Sequence, residues 1–178
     1  MIFRMKKQLL VTVFCLAAIT ISGQERPRKG KEKPPVLHEV SNKEVVQSVY
    51  PEAEKVEKVN EYWYKILDAS NKIIGFAMSS QNFCKEIKGY HNTTPIMILT
   101  DKSFTIKKIT LLSNYETLGY VRKLERRGFF CLWDGKNLSE AKAVEADGYT
   151  GATYTAKAVI QNVAFLLNNG QKKLPKTN

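Results

Sequence analysis

The residues best suited to chemistry lie in one run, Asp147-Gly-Tyr-Thr-Gly-Ala-Thr-Tyr-Thr155, directly ahead of the clearest helical pattern in the chain. Thr150, Thr153 and Thr155 bring three hydroxyls to that point. A helix start leaves backbone N–H groups without intrahelical partners and carries partial positive charge, which suits a phosphate. Gly151 and Ala152 are small enough for a bulky ligand to approach the backbone. The same residues also suit an ordinary helix start, since Thr and Asp are frequent caps. Taken alone, they support a phosphate-sized anion site. There is no Cys-x-x-Cys pair, and His38 and His91 are far apart, so no metal site is readable. No nucleophile with a base at a telling spacing stands out, and no catalytic residue is assigned.

The elements that must position this run can be read from periodicity. Ala156, Val159, Ile160, Val163, Ala164 and Leu167 recur at the spacing of one helical face, and Asn168-Asn169-Gly170 supplies a stop. Upstream, Ser41-Asn-Lys-Glu44 reads as a capped helix start leading into Val45, Val46 and Val49, with Pro51 ending it. Tyr62, Tyr64 and Ile66 fall on one face of a strand ending at Asp68, and the 69–72 turn returns the chain into a strand over 73–78. Two further strands, 95–100 and 104–112, flank Asp101-Lys102-Ser103. A helix is predicted over 118–127 with Val121 and Leu124 inward. Trp63, Phe76, Phe129, Phe130 and Trp133 read as core, and Lys136 and Lys142 as solvated. The fold class is α+β: a mostly antiparallel twisted sheet with flanking helices.

The formal charge of +11 over 178 residues suggests nucleic acid until its position is examined. Residues 24–38 hold five bases and two acids, and Lys172, Lys173 and Lys176 follow Gly170, leaving 17 bases and 15 acids from Glu39 to Gly170. A basic groove needs cations clustered on a folded surface, and these sit in terminal segments. Arg4, Lys6 and Lys7, the apolar stretch 9–22 and the small Ser22-Gly23 form an export signal or an N-terminal membrane anchor. The organisation expected is therefore a signal or anchor over 1–23, a basic proline-containing linker over 24–38, a domain over 39–170 and a basic tail over 171–178. The location expected is extracytoplasmic, in the periplasm or at the outer face of the inner membrane. In that setting Cys84 and Cys131 could form a disulfide or remain free thiols, and the sequence leaves both readings open.

Thr150-Gly-Ala-Thr-Tyr-Thr155 resembles the Ser/Thr-Gly-Ala-Thr-x-Ser/Thr signature of the FMN-binding domain family, whose members include flavin-bearing components of the Rnf electron-transport complex and of the sodium-pumping NADH:quinone reductase (Nqr). Val49-Tyr-Pro-Glu-Ala53 is similar to the turn ending that family's opening helix, and Gly89-Tyr90 to its Gly-Tyr segment before a central strand. Glu116-Thr-Leu-Gly119 resembles its Glu-Thr-Pro-Gly loop, which packs near the flavin ring. The likeness runs from about Ser41 to Gly170 in the family's order. Two places depart from it: Leu118 replaces the proline, and His91-Asn-Thr-Thr94 replaces a glycine-rich stretch.

The resemblance implies a flavin mononucleotide esterified through its phosphate, by a flavin transferase, to the threonine of Gly-Ala-Thr. By match that residue is Thr153, with Thr155 as the fallback. Thr150, Gly151 and Ala152 would surround the phosphate, and Glu116, Thr117 and Gly119 would border the ring. The implied function is electron transfer with redox partner proteins, in a membrane electron-transport complex or beside one. The chain would be an electron carrier more than a self-sufficient enzyme. The alternative is a non-redox extracytoplasmic domain that binds an anionic ligand or a protein partner, with nucleic acid disfavoured in either case.

Overall fold

A computed structural model describes residues 34–146 and 151–177. The signal or anchor at 1–23, most of the linker, Asp147 and Thr150 lie outside the described residues. Among those described, no helix is long and apolar enough to cross a membrane.

Five strands follow one another in chain order and pair antiparallel throughout: β1 (Lys55–Lys58), β2 (Trp63–Leu67), β3 (Ile73–Ser79), β4 (Ile96–Thr100) and β5 (Ile106–Leu111). Two of the hairpin turns share one device. Asp68 Oδ1 accepts the N–H groups of Ser70 and Lys72, and Asp101 Oδ1 those of Ser103 and Thr105, at 2.9–3.0 Å. Three residues after each aspartate the backbone turns left-handed, at Asn71 (φ 60°) and Phe104 (φ 61°). Asparagine tolerates that region and phenylalanine rarely enters it. Phe104 is held there by its ring, which stacks on Phe76 at 5.1 Å and meets Trp63 edge-on at 5.3 Å.

The pleat sends alternate side chains into two cores. Trp63, Phe76, Met78, Ile96, Ile98 and Ile109 face the larger one, beneath α2 (Leu118–Arg126) and α4 (Thr153–Gly170), with α3 (Leu138–Lys142) packed on α4. Ile66, Ala77, Met97 and Leu99 face the smaller core with Val45 and Val46 of α1 (Asn42–Gln47). The Ser41 hydroxyl accepts the Glu44 N–H at 3.3 Å, the cap read from the sequence. Trp63, Phe76, Phe129 and Trp133 are buried, as expected. Cys84 and Cys131 are free thiols, the first buried and the second exposed.

Two local expectations are corrected. Tyr62 does not share a face with Tyr64 and Ile66. The Asn60 side chain accepts the N–H groups of Tyr62 and Trp63, so the strand begins at Trp63 and Tyr62 packs on the larger core. Ala164 is exposed, while Thr155, Ala158, Asn162 and Leu166 join the buried side of α4, because the helix contacts the sheet, α2 and α3 together. α4 ends at Gly170, the stop read from the sequence, with φ −64°, and the chain runs on into a 3-10 turn, Gln171–Lys173. The glycine is there for closeness. A Cβ would overlap Met78 Sδ, and the Trp63 indole N–H donates to the Gly170 carbonyl at 2.8 Å. Beyond it, the Lys173 ammonium pairs with Glu61.

Tyr50 links the two halves of the smaller core through its hydroxyl, which donates to the Thr100 carbonyl at 2.7 Å. Burial first, then the nearby Asp101 and Glu52 carboxylates, push that hydroxyl up to about 12 from its ordinary 10.0. Between those two values the unfolded chain loses the proton while the folded one keeps it, so stability should fall as pH rises through that window. Chemical denaturation of wild type and Tyr50→Phe at pH 9 and pH 11.5 should show a steeper loss in wild type; equal losses would discount Tyr50.

Candidate functional site

The chemistry-bearing run enters α4 through an unusual start. Gly151 takes φ 84°, in the left-handed region, and Ala152 serves as N-cap with φ −145° and ψ 28°. The cap has no side-chain hydrogen bond, and the first turn of this 18-residue helix holds no acid. Its positive end is therefore not neutralised from within that turn. A second positive group approaches from α2: a Cβ built on Gly151 would lie 2.5 Å from the Lys123 Nζ. The missing side chain thus admits an ammonium to the loop.

A shallow cavity of about 210 Å³ opens at this point, lined by Gly151 to Thr155 together with Tyr90 and Tyr120. Tyr90 meets Tyr120 edge-on at 5.6 Å and lies tilted to Tyr154 at 6.3 Å. Tyr90 is 38% and Tyr154 66% exposed, so three phenol rings from three segments border the cavity with surface to spare. The two candidate acceptor threonines differ. Both line the cavity, but Thr153 is half-buried, whereas Thr155 is fully buried and its hydroxyl donates to Glu116 Oε2 at 2.5 Å.

Glu116 stands behind the cavity, fully buried. Its carboxylate also accepts the Thr94 hydroxyl at 2.6 Å and the Tyr90 N–H at 3.1 and 3.3 Å. Asn114 Oδ1 in turn accepts the Glu116 N–H at 2.9 Å. A Cβ on Gly89 would overlap Glu116 Oε1 and Thr94 Oγ1, which accounts for a glycine in front of Tyr90. Thr117 and Gly119 lie exposed at the start of α2, and Gly119 has nothing within 4 Å of a built Cβ.

The structure thus brings Gly151, Ala152, Thr153 and Thr155 together, puts Glu116 beneath them, and leaves Thr117 and Gly119 on the surface beside Tyr120. Sequence reasoning did not single out Tyr90, Tyr120, Tyr154 or Lys123 as site residues. Each tyrosine adjoins a motif residue, and that adjacency was the available signal. A larger cavity, about 390 Å³, lies elsewhere, between α1 and the strands, lined by Val46, Tyr64 and Met97 among others. It has none of the threonines of the Gly-Ala-Thr run, so the smaller cavity is the functional candidate.

The model of the FMN-binding domain family matches residues 89–168. Over that span the chain is similar to the FMN-binding domain family. The span contains the whole cavity, from Tyr90 to Thr155, and the five-stranded antiparallel sheet with its helices is consistent with such a domain. No curated protein matches the chain in a sequence comparison. The family supports FMN as the cofactor, and the residues present fit it. The α4 start and Lys123 supply positive charge for a phosphate, Gly151 leaves a gap that any Cβ would narrow, and three tyrosine rings suit an aromatic heterocycle.

Proposed function

We propose that the chain is an exported electron carrier whose FMN is bound covalently, through a phosphoester to Thr153. The observation that carries this is the contrast between the two threonines. Both residues line the cavity, but Thr153 is only half-buried there, while Thr155 is fully buried with its hydroxyl donating to Glu116. The backbone N–H groups at the α4 start and the Lys123 ammonium would hold the phosphate, and Tyr90, Tyr120 and Tyr154 would flank the ring. Bound flavin supplies the redox chemistry, accepting two electrons and releasing them singly. The chain's own work is to bind, orient and retain.

The N-terminal pattern of Arg4, Lys6 and Lys7 before an apolar stretch supports export. Outside the cytoplasm a dissociable cofactor would be diluted away, and an ester through Thr153 prevents that. A flavin transferase is then the first partner. Redox proteins, in a membrane electron-transport complex or beside one, are the next. Co-expression with a flavin transferase, denaturation and intact mass measurement test the reading. Colour and a flavin-sized mass increment on the denatured chain are expected. A colourless chain of unchanged mass would favour the second reading, an anion-binding domain using the same cationic α4 start.

Lys123 gives a graded test. Lys123→Glu replaces a cation beside the phosphate position with an anion, and should slow modification roughly tenfold, the equivalent of ~1.4 kcal/mol for one charge-assisted contact. Lys123→Arg should retain most of the rate. A mass time course reads both, and equal rates for Glu and Arg would remove Lys123 from the phosphate site.

A further inference from the structure

We infer that Glu116 is a positioning residue that selects the acceptor threonine: by holding the Thr155 hydroxyl it fixes the α4 start so that Thr153 alone meets the flavin phosphate. This rests on the covalent reading above. The geometry joins three segments at one carboxylate. Oε2 takes the Thr155 hydroxyl of α4, Oε1 takes that of Thr94 at the head of β4, and both oxygens share the Tyr90 N–H. Asn162, two turns further along α4, donates to the Thr94 carbonyl at 3.1 Å and fastens the same helix to the same strand. All four side chains other than that of Tyr90 are fully buried.

An α-helix turns 100° per residue, so side chains two apart point in nearly opposite directions. Fixing Thr155 inward therefore commits Thr153 to the opposite, less buried side of the helix start, at the cavity that Tyr90, anchored by the same carboxylate, also lines. In the transfer, Thr153 Oγ forms the new P–O bond to a flavin phosphate activated as an anhydride. The anhydride P–O bond breaks, and the hydroxyl proton leaves to the departing phosphate. Glu116 touches none of these atoms and acts through Thr155 and Tyr90.

The test uses Thr155→Val and Thr155→Ser in the full chain, with Glu116→Asp as a third variant and folding checked by circular dichroism. Modification is followed with a flavin transferase by mass and peptide mapping. Thr155→Ser keeps the donor and should be modified at Thr153 within about twofold of wild type. Thr155→Val and Glu116→Asp should lower kcat for the transfer about tenfold, with KM for the carrier nearly unchanged, because the surface the transferase meets is intact. The Tyr90 amide should also exchange faster with solvent in Thr155→Val than in Thr155→Ser, a readout that needs no flavin. Modification of Thr155→Val at the wild-type rate, with wild-type Tyr90 exchange, overturns the role of Glu116 and leaves the flavin reading standing. An unmodified wild type overturns the flavin reading itself, and Tyr90 exchange still decides whether Glu116 couples the two segments.

Discussion

Thr153→Ala should emerge from co-expression with a flavin transferase folded but colourless after denaturation, its mass that of the bare chain. The loss of cofactor should be complete, because the proposed ester forms through the Thr153 oxygen and the fallback threonine hydroxyl is held elsewhere. Thr155 lies two residues on, buried, donating to Glu116. Exposing it would mean breaking a buried charge-assisted hydrogen bond and turning the first turn of α4 outward. The cost to stability should be small. Thr153 opens the helix, but the N-cap is Ala152 and makes no side-chain bond, so at most ~1 kcal/mol is at stake. Thermal unfolding of unmodified wild type and variant should thus nearly coincide while their flavin content differs completely. Flavin remaining on Thr153→Ala, mapped to another peptide, would move the attachment point and with it the assignment of the cavity.

What the sequence made legible was local. The α4 pattern, the Ser41 cap, both aspartate-led hairpins and the Gly-Ala-Thr run all express constraints within a few residues, and each appears where periodicity and turn chemistry put it. The site was legible only along its threonine segment. The tyrosine wall needs Tyr90, Tyr120 and Tyr154 from three separate segments, and nothing in any one segment says that they meet. Glu116 was read as a ring contact because its motif resembles a loop beside the flavin. Its burial and its bonds to Thr94, Tyr90 and Thr155 depend on convergence that spacing does not encode. Ala164 was misread for the opposite reason. A helical face has a standard local meaning, and here the breadth of α4 burial overrides it, while Gly170 ends the helix as read but is a glycine because Trp63 and Met78 approach it closely.

Gly89→Ala is the smallest substitution expected to damage the whole site. The added methyl group would occupy space held by Glu116 Oε1 and Thr94 Oγ1, so one of them must move. Neither can do so cheaply. The carboxylate is fully buried and bonded to three donors, and Thr94 is fully buried at the head of β4. The loop itself is closed by the Gly89 N–H bond to the Asn92 carbonyl at 2.8 Å and by the Lys88–Thr93 bridge, so it cannot swing aside without losing those. Overpacking costs about 1–3 kcal/mol, and a buried donor left without its acceptor adds about 1–3 kcal/mol. The expected loss is therefore roughly 3 kcal/mol, a large part of the ~5–15 kcal/mol that holds a typical domain together. Gly119→Ala is the matched control: it lies on the surface of α2 with nothing within 4 Å of the new methyl, and in a helix that change should be neutral or stabilising by up to ~1 kcal/mol. Denaturant unfolding of the two variants beside wild type separates crowding at Glu116 from any general effect of replacing glycine. Because Tyr90 follows Gly89 directly, the surviving folded fraction of Gly89→Ala should also accept flavin more slowly. Equal stability of all three proteins would mean that the Glu116 carboxylate does not sit against Gly89, and that the cavity wall is held by something else.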